Sequence, residues 1–464
     1  MRTDALAAAA QLFDSGEFQR ALARRVAHRT ESQNPERAAE LRAYLSDEIA
    51  PSLAALGVRS QVFDNPLPGA QPLLIGRRDE DPALPTVLVY GHGDVVRGLE
   101  GRWRDGLDPW TLSARSDRWF GRGSADNKGQ HSINIAALQA VATARGGRLG
   151  FNVVWLVEMG EETGSPGLTE FCRAHGGELA ADVLIASDGP RLHADRPTVY
   201  LGTRGVANFD LTLRLREGGH HSGNWGGLLR NPGTVLASAI ASLVDARGRI
   251  TIDALRPPPI PAAVKRALAD IEVGGGPGDP TIDADWGEPG LTPAERVFGW
   301  NTLEVLAVGV GNAAQPVNAI PHEARATLQL RFVVGTDAAN LRRHVLAHLQ
   351  QRGFAGIEVS EPVVMPATRL DPDNDWVRLA LRSIEQTTEQ RAALLPNLGG
   401  SLPNDVFADI LGLPTVWVPH SYPACSQHAP NEHVLPQLMR EGLLMMTGLF
   451  WDLGEQAATL PRRH

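Results

Sequence analysis

The 464-residue sequence predicts an α/β chain: a mostly parallel sheet with helices on its faces, interrupted by an inserted ferredoxin-like α+β domain. Three observations carry that expectation. Short continuous apolar runs end at glycine or charged residues, as strands buried on both faces do. A helical stretch separates the first two of these runs. In the middle of the chain, apolar and polar residues alternate instead, the mark of strands with one wet face.

In order, residues 16–60 read as two helices, with Leu41, Leu45, Ile49 and Leu53 at helical spacing. Buried strands follow at 85–91, 151–157 and 182–187, with a helix at 132–144 between the first two. Near residue 200 the pattern changes. Phe209, Leu211, Leu213 and Leu215 alternate with polar residues, 233–246 is helical, and 303–310 is a strand. Ala324 to Phe332 alternates again, 338–351 is helical, and 357–359 is a last short strand. That order is β-α-β-β-α-β. A long excursion at 251–300, rich in proline, glycine and acid, interrupts it. The buried-strand pattern returns at 414–418, flanked by amphipathic helices near 374–387 and 434–452. The expected division is a discontinuous domain of 1–200 plus 364–464, with 201–363 inserted.

Composition narrows the function. Lys plus Arg total 44 and Asp plus Glu 53, a net charge of −9, so the chain lacks the basic footprint of a nucleic-acid binder. No run approaches the roughly 20 apolar residues of a membrane span, and the N-terminal stretch lacks the pattern of a signal peptide. Only Cys172 and Cys425 are present, which reads as a reducing, cytoplasmic compartment.

The residues able to do chemistry gather beyond the predicted strand ends, where open α/β sheets bind ligands. His92 and Asp94 follow the first buried strand, Glu161 and Glu162 the second, Asp188 the third, and His428 the last. Asp126 sits in a glycine-bearing loop between the first two. Carboxylates and imidazoles drawn from several segments are what divalent metals require. Each cluster alone is weak; their co-occurrence at successive strand ends is the signal.

The stretches GHGDVV (91–96), GRGSADNKG (121–129), EMGEETGS (158–165), SDG (187–189), HSG (221–223), GGSLP (399–403) and HAPNE (428–432) give the chain a specific resemblance. In content and order they resemble the dinuclear zinc exopeptidases, the family of carnosinase, glutamate carboxypeptidase, aminoacylase and the acetylornithine and succinyl-diaminopimelate deacylases. The carnosinase-like dipeptidase branch fits best. The resemblance implies a zinc-exopeptidase-like catalytic domain and an inserted lid that also dimerises. It implies two divalent ions, zinc with cobalt or manganese as alternatives, held by His92 and Asp188 on one side and Glu162 and His428 on the other, with Asp126 bridging. Asp94 would orient His92, and Glu161 would be the general base toward a hydroxide shared by the ions. The peptide bond after Asp126 is cis in relatives.

From the lid, the resemblance assigns His221, favoured over His220, as donor to the oxyanion, often acting across a homodimer. It assigns Arg331, Asn318, Gly400 and Ser401 to substrate binding. The implied reaction is hydrolysis of an amide bond in a small substrate with a free carboxylate, a dipeptide or a C-terminal amino acid. N-acyl-amino-acid deacylation by the same site is the alternative, and a catalytically silent binding protein a remote one. The approach to the last histidine, 418–432, departs from carnosinases, which suggests that His420, Tyr422 and Cys425 line a differently shaped pocket. Trp103, Trp110 and Trp119 read as packing or pocket wall.

Overall fold

The four apolar runs become four adjacent parallel strands, in spatial order Asn152–Glu158, Thr86–His92, Val183–Ala186 and Thr415–Trp417. Every residue of Asn152–Glu158 is buried, which is why these runs carry no alternation. The computed structural model describes residues 1–275 and 279–462, so 276–278 of the acidic excursion lie outside the described residues. Strands Arg59–Phe63 and Leu73–Arg78 extend the sheet antiparallel at one edge, and Thr198–Tyr200 and Ala393–Leu395 complete eight strands at the other. These four were not anticipated; they are short or half-buried, and their periodicity is weak.

Helices Arg2–Asp14, Lys128–Ala144, Asp375–Thr388 and Pro436–Gln456 supply one large core with the sheet, through residues such as Ala5, Ile133, Leu138, Val377, Leu443 and Phe450. Lys128–Ala144 begins tightly against the loop before it. A Cβ on Gly129 would lie 2.0 Å from the Ser124 carbonyl oxygen, so only glycine permits that approach.

The second unit is the ferredoxin-like one. Its antiparallel sheet has the order Thr302–Val310, Glu323–Phe332, Gly205–Arg214, Glu358–Val359. In terms of the four strands met along the chain, that is 2-3-1-4. Leu236, Ala239 and Leu243 of helix Pro232–Leu243 and Leu341, Val345 and Leu349 of helix Leu341–Gln351 share a core with Phe209, Leu211, Leu328 and Leu330.

The observed division differs from the expected one. The first unit comprises Met1–Leu201, Leu370–Leu395 and Pro403–His464; the second comprises Gly202–Arg369 and Pro396–Leu402. The boundary at 363 fails because Val363–Met365 forms a further strand on Gly205–Arg214. The glycine-rich turn moves to the second unit because its backbone is tied there. Leu398 N donates to Gly202 O at 2.8 Å, and Asn397 Nδ2 donates to the carbonyls of Thr203 and Thr368 at 3.1 and 2.7 Å.

Candidate active site

Strand Thr86–His92 pairs with Asn152–Glu158 on one side and Val183–Ala186 on the other. The chain therefore changes winding direction at its carboxyl end, where such sheets leave a crevice. His92 ends that strand with its side chain fully buried. Its Nδ1 lies 3.3 Å from Asp94 Oδ1 and 3.1 Å from the Asp94 carbonyl oxygen. Its Nε2 lies 2.9 Å from Asp126 Oδ1 and 3.6 Å from Asp188 Oδ2. The other Asp126 oxygen, Oδ2, is 3.0 Å from His428 Nε2, which is 2.9 Å from Glu162 Oε2. Two groups of three ligand types result: His92, Asp126 and Asp188, and Asp126, Glu162 and His428. Asp126 belongs to both, one oxygen to each.

Glu161 belongs to neither group. The turn Glu161–Thr163 sends adjacent side chains apart, so Glu162 reaches His428 while Glu161 Oε2 stays 3.9 Å from His92 Nε2. Asp94 fixes this turn as well as His92: its two carboxylate oxygens accept from the backbone N–H of Glu161 and of Glu162, at 3.2 and 3.1 Å. The peptide bond between Asp126 and Asn127 is cis.

The electrostatics are those of a cation site. Among the described residues, Asp126, Glu161, Glu162 and Asp188 pair with no lysine or arginine, only with the two imidazoles. Burial pushes the Glu162 carboxyl up to about 7, against the His428 hydrogen bond. Burial, with Asp126 nearby, pushes Asp188 up to about 6, and burial raises Glu161 well above the usual range. At Asp126 burial acts in the same direction, but hydrogen bonds to His428 and His92 outweigh it and hold the carboxyl low. Asp188 Oδ2 is buried without a hydrogen-bond partner. Crowded carboxylates, an orphaned buried oxygen and two imidazoles fit a pair of divalent ions.

In the second unit, the short strand His220–His221 pairs with Ala319–Ile320, and Ser222 N donates to Asn318 O at 2.9 Å, so His221 and Asn318 are neighbours. His221 is exposed, and its Nδ1 accepts from Gly223 N at 3.1 Å, which leaves the proton of the neutral ring on Nε2. His220 is less exposed and meets Trp225 edge-on, with centroids 6.1 Å apart. Arg331 is half-buried at the end of its strand, with Nη1 donating to Ser401 Oγ at 3.1 Å. Gly400 is the exposed residue beside Ser401 in the same turn.

The model of Peptidase family M20/M25/M40 matches residues 88–452. The chain belongs to this family. It is thus a peptidase of a family that includes dinuclear metal-binding members, one of them the YXEP protein of Bacillus subtilis. A cysteinylglycine-S-conjugate dipeptidase of Corynebacterium striatum is 28% identical over 349 residues, 71% of this chain and 72% of that one. A β-Ala-His dipeptidase of Rattus norvegicus is 34% identical over 186 residues, 39% of this chain and 37% of that one. In fold, the chain is similar to an M20 family metallo-carboxypeptidase of Sulfolobus solfataricus, with TM-score 0.78, 24% identity, and 94% of this chain and 99% of that one covered. It is also similar to human carnosine dipeptidase 1, with TM-score 0.74, 22% identity, and 97% and 99% covered.

Three residues of this peptidase were not singled out by sequence reasoning. Glu432 is buried, and its carboxylate accepts from Arg122 Nη1 and from the backbone N–H of Gly123, Ala125 and Asp126 at 2.8–3.1 Å. It holds the loop that presents Asp126. Its signal was its place within HAPNE, but an acid four residues after a ligand carries no chemical label. Gln427 Nε2 donates to Asp126 Oδ2, and Arg204 lies buried beside Arg331. Nothing in the sequence marks either. The departure at 418–432 does not reshape a pocket through the residues expected. His420 and Cys425 are 0% and 1% exposed, and Tyr422 is tied through its hydroxyl to His433 Nε2 at 2.6 Å. Trp103, Trp110 and Trp119 are buried packing residues.

Proposed function

We propose that this peptidase cleaves small dipeptides that carry a free carboxylate, with zinc as the native metal and cobalt or manganese accepted by the same donors. The observation that carries the reading is the sharing of Asp126 between two ligand groups while Glu161, beside them, is left out of both. In this reading His92, Asp126 and Asp188 hold one ion, and Asp126, Glu162 and His428 the other. Bound ions would polarise the scissile carbonyl and make water acidic enough to attack near neutral pH.

The chain's residues do the rest. Asp94 orients the His92 ring and, through two backbone N–H groups, the Glu161–Glu162 turn. Glu161 takes the proton of the attacking water and delivers it to the leaving amine, a task open to a carboxylate that ligates nothing. His221, with its proton on Nε2, donates to the oxygen that gains charge. Arg331, with Asn318, Gly400 and Ser401, takes the substrate's carboxylate end; a guanidinium matches a carboxylate with two parallel bonds.

A homodimer completes the reading. Edge strand Thr302–Val310 exposes Val305, Leu306, Val308 and Val310 at 40–57%, an unpaired apolar edge that a second copy would cover. Both cysteines are buried free thiols, which suits a cytoplasmic setting. Among the described residues no helix is long and apolar enough to cross a membrane.

The test is a panel of dipeptides and N-acyl amino acids given to the chelated protein, the untreated protein and the protein reloaded with zinc. Dipeptide turnover should vanish on chelation and return with zinc. Full activity after complete metal removal would overturn the mechanism, and turnover of N-acyl amino acids alone would overturn the substrate class.

A further inference from the structure

Four arginines are buried among the described residues: Arg25, Arg122, Arg191 and Arg204. The first three each face a carboxylate, Glu48 at 3.3 Å, Glu432 at 2.8 Å and Glu441 at 2.5 Å. Among the described residues Arg204 forms no ion pair. Its Nη2 donates to Thr302 Oγ1 at 3.2 Å and to the Arg331 carbonyl oxygen at 3.3 Å, and its Nε is buried with no partner. Burial, with Arg331 acting in the same direction, brings the Arg204 guanidinium down to about 10; Glu304, not in contact, is the one carboxylate opposing this.

Among the described residues Arg331 has no ion pair either. Its Nε donates to Gln329 Oε1 at 3.0 Å and its Nη1 to Ser401 Oγ at 3.1 Å. Ser401 Oγ donates in turn to the Arg204 carbonyl oxygen at 3.3 Å. The two arginines and the serine therefore close a ring within the second unit that passes through the main-chain carbonyls of Arg204 and Arg331, and the Arg331 charge acts on the Arg204 guanidinium, while among the described residues no carboxylate pairs with either. Like charges brought together and partly desolvated are costly unless an anion answers them. The rest of this chain shows how it treats buried arginines when a carboxylate of its own is available.

We propose that Arg204 is the second cation of a two-guanidinium subsite, with Arg331 and Ser401, that a substrate's free carboxylate completes and that a neutral amide does not. This rests on the reading of Arg331 as the carboxylate-binding residue and extends it. Arg331 alone would recognise a carboxylate. The added buried charge makes the empty subsite unfavourable and its neutral occupant poor, so discrimination by charge is sharpened.

The experiment compares KM and kcat for one dipeptide and for its C-terminal amide, in the wild type and in Arg204→Gln, Arg204→Lys and Arg331→Gln, with melting temperatures recorded for each. Arg204→Gln should raise KM for the dipeptide roughly tenfold or more and leave KM for the amide within about threefold, with kcat little changed. Arg204→Lys keeps the charge without the fork. It should raise the dipeptide KM several-fold and spare the amide, and it decides the matter if the glutamine variant does not fold. Equal losses on both substrates, or no loss on either, would overturn the role of Arg204. If Arg331→Gln leaves the carboxylate preference intact, the underlying reading of Arg331 falls. If Arg331→Gln abolishes that preference while both Arg204 variants keep it, Arg204 alone is excluded.

Discussion

Glu161 and Glu162 are chain neighbours with opposite surroundings, and that contrast assigns them different work. Glu162 sits 2.9 Å from His428 within a ligand group, whereas Glu161 Oε2, outside both groups, lies 3.9 Å from His92 Nε2. Removing the charge of Glu161 without changing its shape should therefore leave the ligand groups whole. Glu161→Gln is expected to lower kcat by about 10²–10⁴ or more while bound metal, counted by elemental analysis, stays at the wild-type ratio. Near-normal kcat would end its proposed role as base. The two histidines of the second unit separate in the same way. His221 is exposed with its proton directed to Nε2, while His220 packs against Trp225. His221→Ala should cost about 10²–10³ in kcat, as loss of one oxyanion donor does, and His220→Ala only a few-fold. The reverse order in kcat would exchange their assignments.

Among the elements, the loop Gly121–Asn127 depends on a residue more than 300 positions away. The Glu432 carboxylate spans Arg122 Nη1 and the N–H groups of Gly123, Ala125 and Asp126, and the Glu432 carbonyl accepts from Gly121 N at 3.0 Å. Both Arg122 and Glu432 are 1% exposed, so cutting one leaves the other charged and buried. Glu432→Ala should destabilise by about 3–5 kcal/mol in urea unfolding. A loss below about 1 kcal/mol would show that the pair is not what holds the loop. This element also marks where sequence reading stops. His92, Asp94, Glu161, Glu162 and Asp188 were visible because each follows a continuous apolar run, and strand ends can be read from hydrophobicity. The ferredoxin-like order was visible because its strands alternate. Glu432, Gln427 and Arg204 were not, since their importance lies in contacts between distant segments that no local pattern encodes. The turn Pro396–Leu402 was misassigned for the same reason: its attachment is by backbone hydrogen bonds, which any sequence can make.

For the whole molecule, the edge strand Thr302–Val310 is the feature that the proposed homodimer would cover. Soluble chains commonly blunt an edge with charge or proline, yet seven of its nine residues are exposed, and four of those are large and apolar. An antiparallel pairing with a second copy would be isologous, each strand serving as the other's mate, the closed symmetry most soluble dimers use. The wild type should sediment as a dimer. Val308→Lys places a charge in the middle of that edge, at a residue already 57% exposed, so the subunit itself should fold and bind metal as before. The variant should sediment as a monomer at micromolar concentration. Its kcat then decides whether the partner takes part in the reaction. If His221 acts across the dimer, the monomer should lose about as much kcat as His221→Ala. A monomer with full kcat would confine His221 to its own subunit, while the ligand groups around Asp126, which lie within one chain, would be unaffected by either result.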